Sequence, residues 1–100
     1  MRIISRPRLR TFSANHPNAK LSLDSWYKVA KSSQWQHINE VKASYSSADA
    51  VGKFTVFNIK GNSYRLITSI NYAKQIIYIK YVLTHSEYDS RFWKNDPHYK

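Results

Sequence analysis

One hundred residues with sixteen Lys and Arg against six Asp and Glu carry a formal charge of +10, so a polyanion (nucleic acid or an acidic protein) is the expected partner of this small domain. The absence of Cys excludes disulfides and thiolate-rich zinc sites, and six scattered acids disfavour the convergent carboxylates of two-metal phosphoryl transfer, so neither metal nor cofactor is expected. A 15% aromatic share argues against disorder, no apolar run approaches a membrane span, and no uninterrupted apolar stretch follows the N-terminal arginines to make a secretory signal, so a cytoplasmic, non-membrane protein is expected.

Ile3 and Ile4 read as a short strand. Ser5 then offers a helix cap with Pro7 in the first turn, and Leu9 and Phe12, three apart, share the inward face of a helix over residues 6–13. Arg6, Arg8 and Arg10 spread around the rest, as a solvated basic face or one that meets phosphate. Asn15 or His16 is the expected cap of a second helix that starts at Pro17 and runs to residue 32, because Leu23, Trp26, Tyr27 and Ala30 follow the i, i+3, i+4, i+7 template. Trp35, Ile38 and Val41 suggest a further helical turn, and residues 46–49 a turn. Three strands follow, over residues 54–59, 64–72 and 75–84, joined by tight breaks at Lys60-Gly61-Asn62-Ser63 and Ala73-Lys74. The third is apolar at nearly every position from Ile76 to Val82, as expected of a strand covered on both faces for part of its length. A short helix over residues 85–91 and a basic, flexible tail from residue 93 to 100 close the chain. The class is α+β: an N-terminal strand and two to three helices on a small, mainly antiparallel sheet, whose other face stays partly open and basic.

With no Gly-rich phosphate loop and no thiol, nucleotide triphosphate and cysteine chemistry are unsupported. Metal-free RNA cleavage stays open: it needs a base for the ribose 2′-hydroxyl, donors for the nonbridging phosphate oxygens and an acid for the leaving oxygen. Arg65, near the start of the second meander strand, has the planar fork that holds a phosphate bidentately, and Lys60 and Asn62 lie in the turn before it. An antiparallel third strand returns its end, Thr84-His85, to the level of Arg65, which brings Arg65, Lys60, His85 and Tyr88 together. The plainer readings are that His85 is solvated or capping, that the strand tyrosines pack, and that Asp89 caps its turn or pairs with a Lys or Arg. Spacing alone does not choose between an enzyme and a non-catalytic RNA- or ribosome-binding module. A DNA-binding repressor lacks support, because the long helix spends its clearest face on Leu23, Trp26 and Tyr27.

The strings VFNIKGNSYRLI and QIIYIKYVLTHSEYD, the opening RIIS, SWYKVAK and the SSAD segment together resemble the HigB-type toxins of type II toxin–antitoxin modules, within the RelE superfamily of ribosome-dependent mRNA interferases. The resemblance covers residues 2–89 in order and implies a toxin domain over residues 1–92 with a RelE-like compact fold, cleaving mRNA in the ribosomal decoding site without metal. It implies that Arg65 binds phosphate and stabilises the transition state, and that His85 and Tyr88 act as acid, base or base-stacking groups. Asp89 stands beside them, and Lys53, Lys60 and Lys80, with Asn62, are implied to meet mRNA or ribosomal RNA. A helix-turn-helix antitoxin of the HigA type is the implied partner.

Overall fold

Helical and extended periodicities meet at one sheet, which takes its two faces from two different parts of the chain. The computed structural model of the protein describes residues 1–99. Strand β1 (Arg2–Ile4) precedes helices α1 (Pro7–Asn15), α2 (Lys20–Ser32) and α3 (Ile38–Ser44). Strands β2 (Asp49–Val51), β3 (Phe54–Ile59), β4 (Tyr64–Asn71) and β5 (Ile76–Thr84) follow, then α4 (His85–Asp89) and two 3₁₀ turns at Phe92–Asn95 and Pro97–Tyr99. The five strands form one sheet in the order β1-β5-β4-β3-β2, with β1 parallel to β5 and every other pair antiparallel. The α+β, mainly antiparallel expectation holds. The turn expected at residues 46–49 forms at residues 46–47, and β2 after it was not expected: its three residues pair with Val56, Thr55 and Phe54 and owe their conformation to β3 rather than to their own pattern.

The two-residue period divides each strand between two cores. Phe57, Ile59, Tyr64, Leu66, Ile77 and Ile79 face the helices, where Leu23, Trp26 and Ala30 of α2 complete the larger core. Phe57, fully buried, is its centre: Trp26 meets it edge-on at 5.3 Å, Tyr45 at 5.6 Å, and Trp35 lies over it at 6.2 Å. The Tyr64 hydroxyl donates to Asn18 Oδ1 at 2.6 Å, tying the start of β4 to the helical layer. Neither Ser5 nor His16 caps a helix through its side chain; Ser5 instead takes a φ of +73° at the turn out of β1.

Phe54, Val56, Ile67 and Leu83 point the other way and form a second core around Trp93. This corrects both the open second face and the flexible tail, through Tyr99. Trp93 is 1% exposed, with Phe54 at 6.4 Å and Tyr99 at 5.6 Å, and Lys53 N donates to Tyr99 O at 2.7 Å. Gly52 makes that approach possible: a Cβ there would stand 2.6 Å from Tyr99 O, and its φ of +59° independently favours glycine. Apolar burial on a bare sheet face holds the segment down, a force that local sequence pattern does not reveal. Lys100 lies outside the described residues.

Removing the central ring should be severe. Phe57→Ala is expected to lower unfolding free energy in urea by about 3–5 kcal/mol, whereas Leu21→Ala, at a side chain 82% exposed, stays within about 0.5 kcal/mol of the parent.

Candidate active site

The turn between β3 and β4 builds the site's first half. Lys60 and Gly61 both adopt positive φ (+52° and +62°) in the turn that joins Ile59 to Tyr64, and nothing stands within 4 Å of a Cβ at Gly61, so backbone conformation alone explains the glycine. Alternation then sends Tyr64 to the helices and Arg65 to the opposite face. There Arg65 Nη1 donates to Asn62 O at 3.1 Å and Tyr64 O at 3.2 Å, and Nη2 donates to Asn62 Oδ1. Asn62 thus holds the guanidinium with both of its oxygens. These three bonds use three of the five N–H donors, leaving the Nε–H and one Nη2–H to receive a ligand. Arg65 is only 9% exposed, yet among the described residues no carboxylate forms an ion pair with it. A nearly buried cation answered by carbonyl and amide oxygens, with no carboxylate among the described residues, has the chemistry to take an anion.

The end of β5 supplies the second half. Tyr64 pairs with Thr84, so α4 starts beside the Arg65 hairpin. Thr84 and Glu87 form a reciprocal capping box: the Glu87 amide donates to Thr84 Oγ1 at 3.2 Å and the Thr84 amide donates to Glu87 Oε1 at 2.9 Å. This gives Glu87 a structural duty. One turn apart on α4, His85 Nδ1 lies 2.9 Å from Asp89 Oδ2, both side chains being half exposed or more. Asp89 therefore pairs with His85 rather than with a Lys or Arg. With Asp89 beside Nδ1, Nε2 is the ring nitrogen left for a ligand.

Tyr88 joins the halves. Its ring lies under the Arg65 guanidinium, 5.4 Å from centroid to Cζ, and stacks on Trp93 at 5.0 Å with planes 13° apart. Burial pushes the Tyr88 phenol above its ordinary value; Arg65 opposes this, and Asp49, Asp89 and Tyr99 add to it. The phenol keeps its proton at neutral pH and is chemically able to donate.

The structure thus gathers Arg65, Asn62 and Tyr88, with Lys60 in the adjoining turn and the His85–Asp89 pair on the same short helix. Lys53 and Lys80 are not part of this group. Lys53 precedes β3 at the end opposite the Asn62 turn. Lys80 occupies an irregularity in β5, where Ile67 pairs with Tyr81 and Thr68 with Ile79, so Lys80 has no opposite number. Its Nζ is turned onto the C-terminal segment, 3.2 Å from Asp96 Oδ2 and 3.0 Å from His98 Nδ1, and its carbonyl accepts from Arg8 Nη1 at 2.9 Å. Trp93, Asp49, Tyr99 and Asp96 are the neighbours that sequence reasoning missed. Phe92, Trp93 and Tyr99 in the last nine residues were the available signal, since a solvated tail has no use for three aromatic rings. A groove lies elsewhere, between α1 and α2, walled by Arg6, Arg10, Lys20 and Lys28.

A family model described as HigB_toxin, RelE-like toxic component of a toxin-antitoxin system, matches residues 19–91. The chain belongs to the HigB toxin family. The mRNA interferase HigB of Escherichia coli O6:H1 is 28% identical over 101 residues, covering 96% of this chain and 98% of the relative. The mRNA interferase toxin HigB of Escherichia coli K12 is 28% identical over 92 residues, covering 89% of this chain and 88% of the relative. The first of these alignments extends past residue 91, so this HigB family member and that relative share the length that carries Trp93. No described helix is long and apolar enough to cross a membrane.

Asp96 makes the packing of the C-terminal segment depend on pH. Burial works to raise its pKa, but the His98 amide, the Tyr81 hydroxyl and the Lys80 ammonium outweigh this and hold it below the ordinary carboxylate value. A carboxyl depressed on folding contributes stability above its unfolded pKa, and that contribution fades as pH falls through the folded value. The melting-temperature gap between the parent and Asp96→Asn should accordingly be largest at neutral pH and close below the usual carboxylate range. A gap of constant size from pH 7 to pH 3 would contradict this.

Proposed function

We propose that the protein is the toxin of a type II toxin–antitoxin module and an endoribonuclease that cuts translated mRNA on the ribosome by attack of a ribose 2′-hydroxyl. One observation carries the reading: Arg65 is an almost buried guanidinium, oriented by Asn62, with two donors left and no carboxylate partner among the described residues. A scissile phosphate fits that place. In the reaction the 2′-oxygen loses its proton and attacks phosphorus, negative charge builds on the nonbridging oxygens, and the 5′-oxygen departs with a proton. Arg65 stabilises the charge as it builds, which is where a preorganised donor contributes most. Nε2 of His85, with Asp89 behind its other nitrogen, exchanges protons with the reacting oxygens, and Tyr88 serves as a donor or as a surface on which a base stacks. The product keeps a 2′,3′-cyclic or 3′-phosphate and releases a 5′-hydroxyl.

A metal is not needed for these steps, and no group of three or more His, Cys, Asp or Glu side chains converges among the described residues. Lys60 beside the site, with Lys53 farther along the sheet, would meet the RNA backbone; the binding role expected of Lys80 passes to its contact with Asp96. The names of the relatives, both mRNA interferases, agree with this reading. A helix-turn-helix antitoxin of the HigA type, bearing acid to meet the +10 charge, is the partner that holds the toxin inactive in the cytoplasm.

Induced expression of the parent should arrest growth and create new mRNA 5′ ends phased with codons. Arg65→Ala should abolish both, with cleavage falling about 100- to 1,000-fold, and Arg65→Lys should not restore it because an ammonium lacks the planar fork. Growth arrest by the parent without new ends would favour a non-catalytic ribosome binder; unchanged cutting by Arg65→Ala would remove Arg65 from the site.

A further inference from the structure

Helix α4 carries both His85 and Tyr88 but has no fully buried residue of its own. Its capping box fixes the start of the helix. What fixes Tyr88, one turn later, is Trp93. The indole stacks face to face on the Tyr88 ring, and its Nε1–H donates to Tyr88 O at 2.9 Å, so ring and backbone of Tyr88 are gripped by one side chain. Three further features converge on this grip. Arg91 takes a left-handed φ of +63°, uncommon for a residue with a side chain, and reverses the chain so that Trp93 passes beneath α4. The irregularity in β5 turns Lys80 toward Asp96, whose carboxylate, 9% exposed, also accepts from the Tyr81 hydroxyl at 3.0 Å. Gly52 leaves room for Tyr99, which closes the far edge of Trp93 at 5.6 Å.

We infer that the C-terminal segment of residues 92–99 is part of the cleavage apparatus, with Trp93 a positioning residue that holds Tyr88 against the Arg65 site and a Lys80–Asp96–Tyr81 latch that holds Trp93. The inference rests on the cleavage reading above. It assigns residues 92–99 a duty beyond covering the sheet: the rigidity of the reacting geometry is supplied from outside α4. Displacement of a reacting group by as little as about 1 Å can lower a rate about 100-fold, so a loosened stack should be read in turnover before it is read in RNA binding.

The test uses the full chain and a translated reporter mRNA in a cell-free translation reaction, each variant being assayed well below its own melting temperature. Trp93→Leu should lower kcat by about tenfold or more with KM little changed, and Trp93→Phe, which keeps a flat ring, should recover most of the loss. In a Tyr88→Ala background Trp93→Leu should cause no further loss, because its effect runs through Tyr88. A general weakening of the fold would instead multiply with Tyr88→Ala. If Trp93→Leu does not fold, Asp96→Asn loosens the latch with every ring still present and is put through the same cycle. Parental kcat in the folded Trp93→Leu or Asp96→Asn protein, parental activity in Tyr88→Ala, or losses that multiply would each overturn the inference. Arg65→Ala separates the two levels: if it cuts as the parent does, the cleavage reading fails, and if it is inactive while the Trp93 and Asp96 variants keep their turnover, only the positioning role fails.

Discussion

A guanidinium taken almost wholly out of water must be answered by oxygen atoms, and the oxygens that answer Arg65 belong to Asn62 and Tyr64 rather than to a carboxylate. That single constraint orders the site. The β3–β4 turn must place Asn62 beside its own strand, which the paired positive φ values at Lys60 and Gly61 achieve. Strand alternation must put Tyr64 into the helical core, so that Arg65 has no choice but the opposite face. Among the described residues no carboxylate completes the charge balance, and a phosphodiester is the anion proposed for that place.

The sheet is organised around this division of labour. Its helical face is a conventional aromatic core about Phe57 and gives the strands a fixed register against α2. Its other face carries a smaller core about Trp93, and the candidate site stands along the edge of that core. Burial therefore does two things there: it seats the C-terminal segment, and it places a flat indole under Tyr88. Lys80 shows how a basic residue in a basic protein can have an inward role. Held by Asp96 and His98 on one side, with its carbonyl taking a hydrogen bond from Arg8, it joins β5, α1 and the last 3₁₀ turns.

Local pattern carried much of this. The i, i+3, i+7 apolar spacing in α2, the Gly-Asn turn before Tyr64 and the apolar run of β5 each follow from properties of neighbouring residues, so helix, hairpin and meander were legible. The antiparallel return that brings α4 to the level of Arg65 followed from the meander as well. By contrast, β2 was illegible because three residues with no apolar alternation become a strand only through their partner, and the end of the chain read as a tail because its polar residues outnumber its rings.

What the sequence determined by itself, then, was the set of groups and their order along the chain: a strand pair with Arg65 behind a tight turn, a short helix bearing His85 and Tyr88, few acids and a large positive charge. These depend on residue identity and on separations of a few positions, which local sterics translate directly into turns and faces. Only the tertiary structure decided which cations are paired and what packs against Tyr88. Among the described residues Arg65 has no carboxylate partner while Lys80 has one, and Tyr88 rests on Trp93, because burial brings together residues whose attraction has no signature at short range.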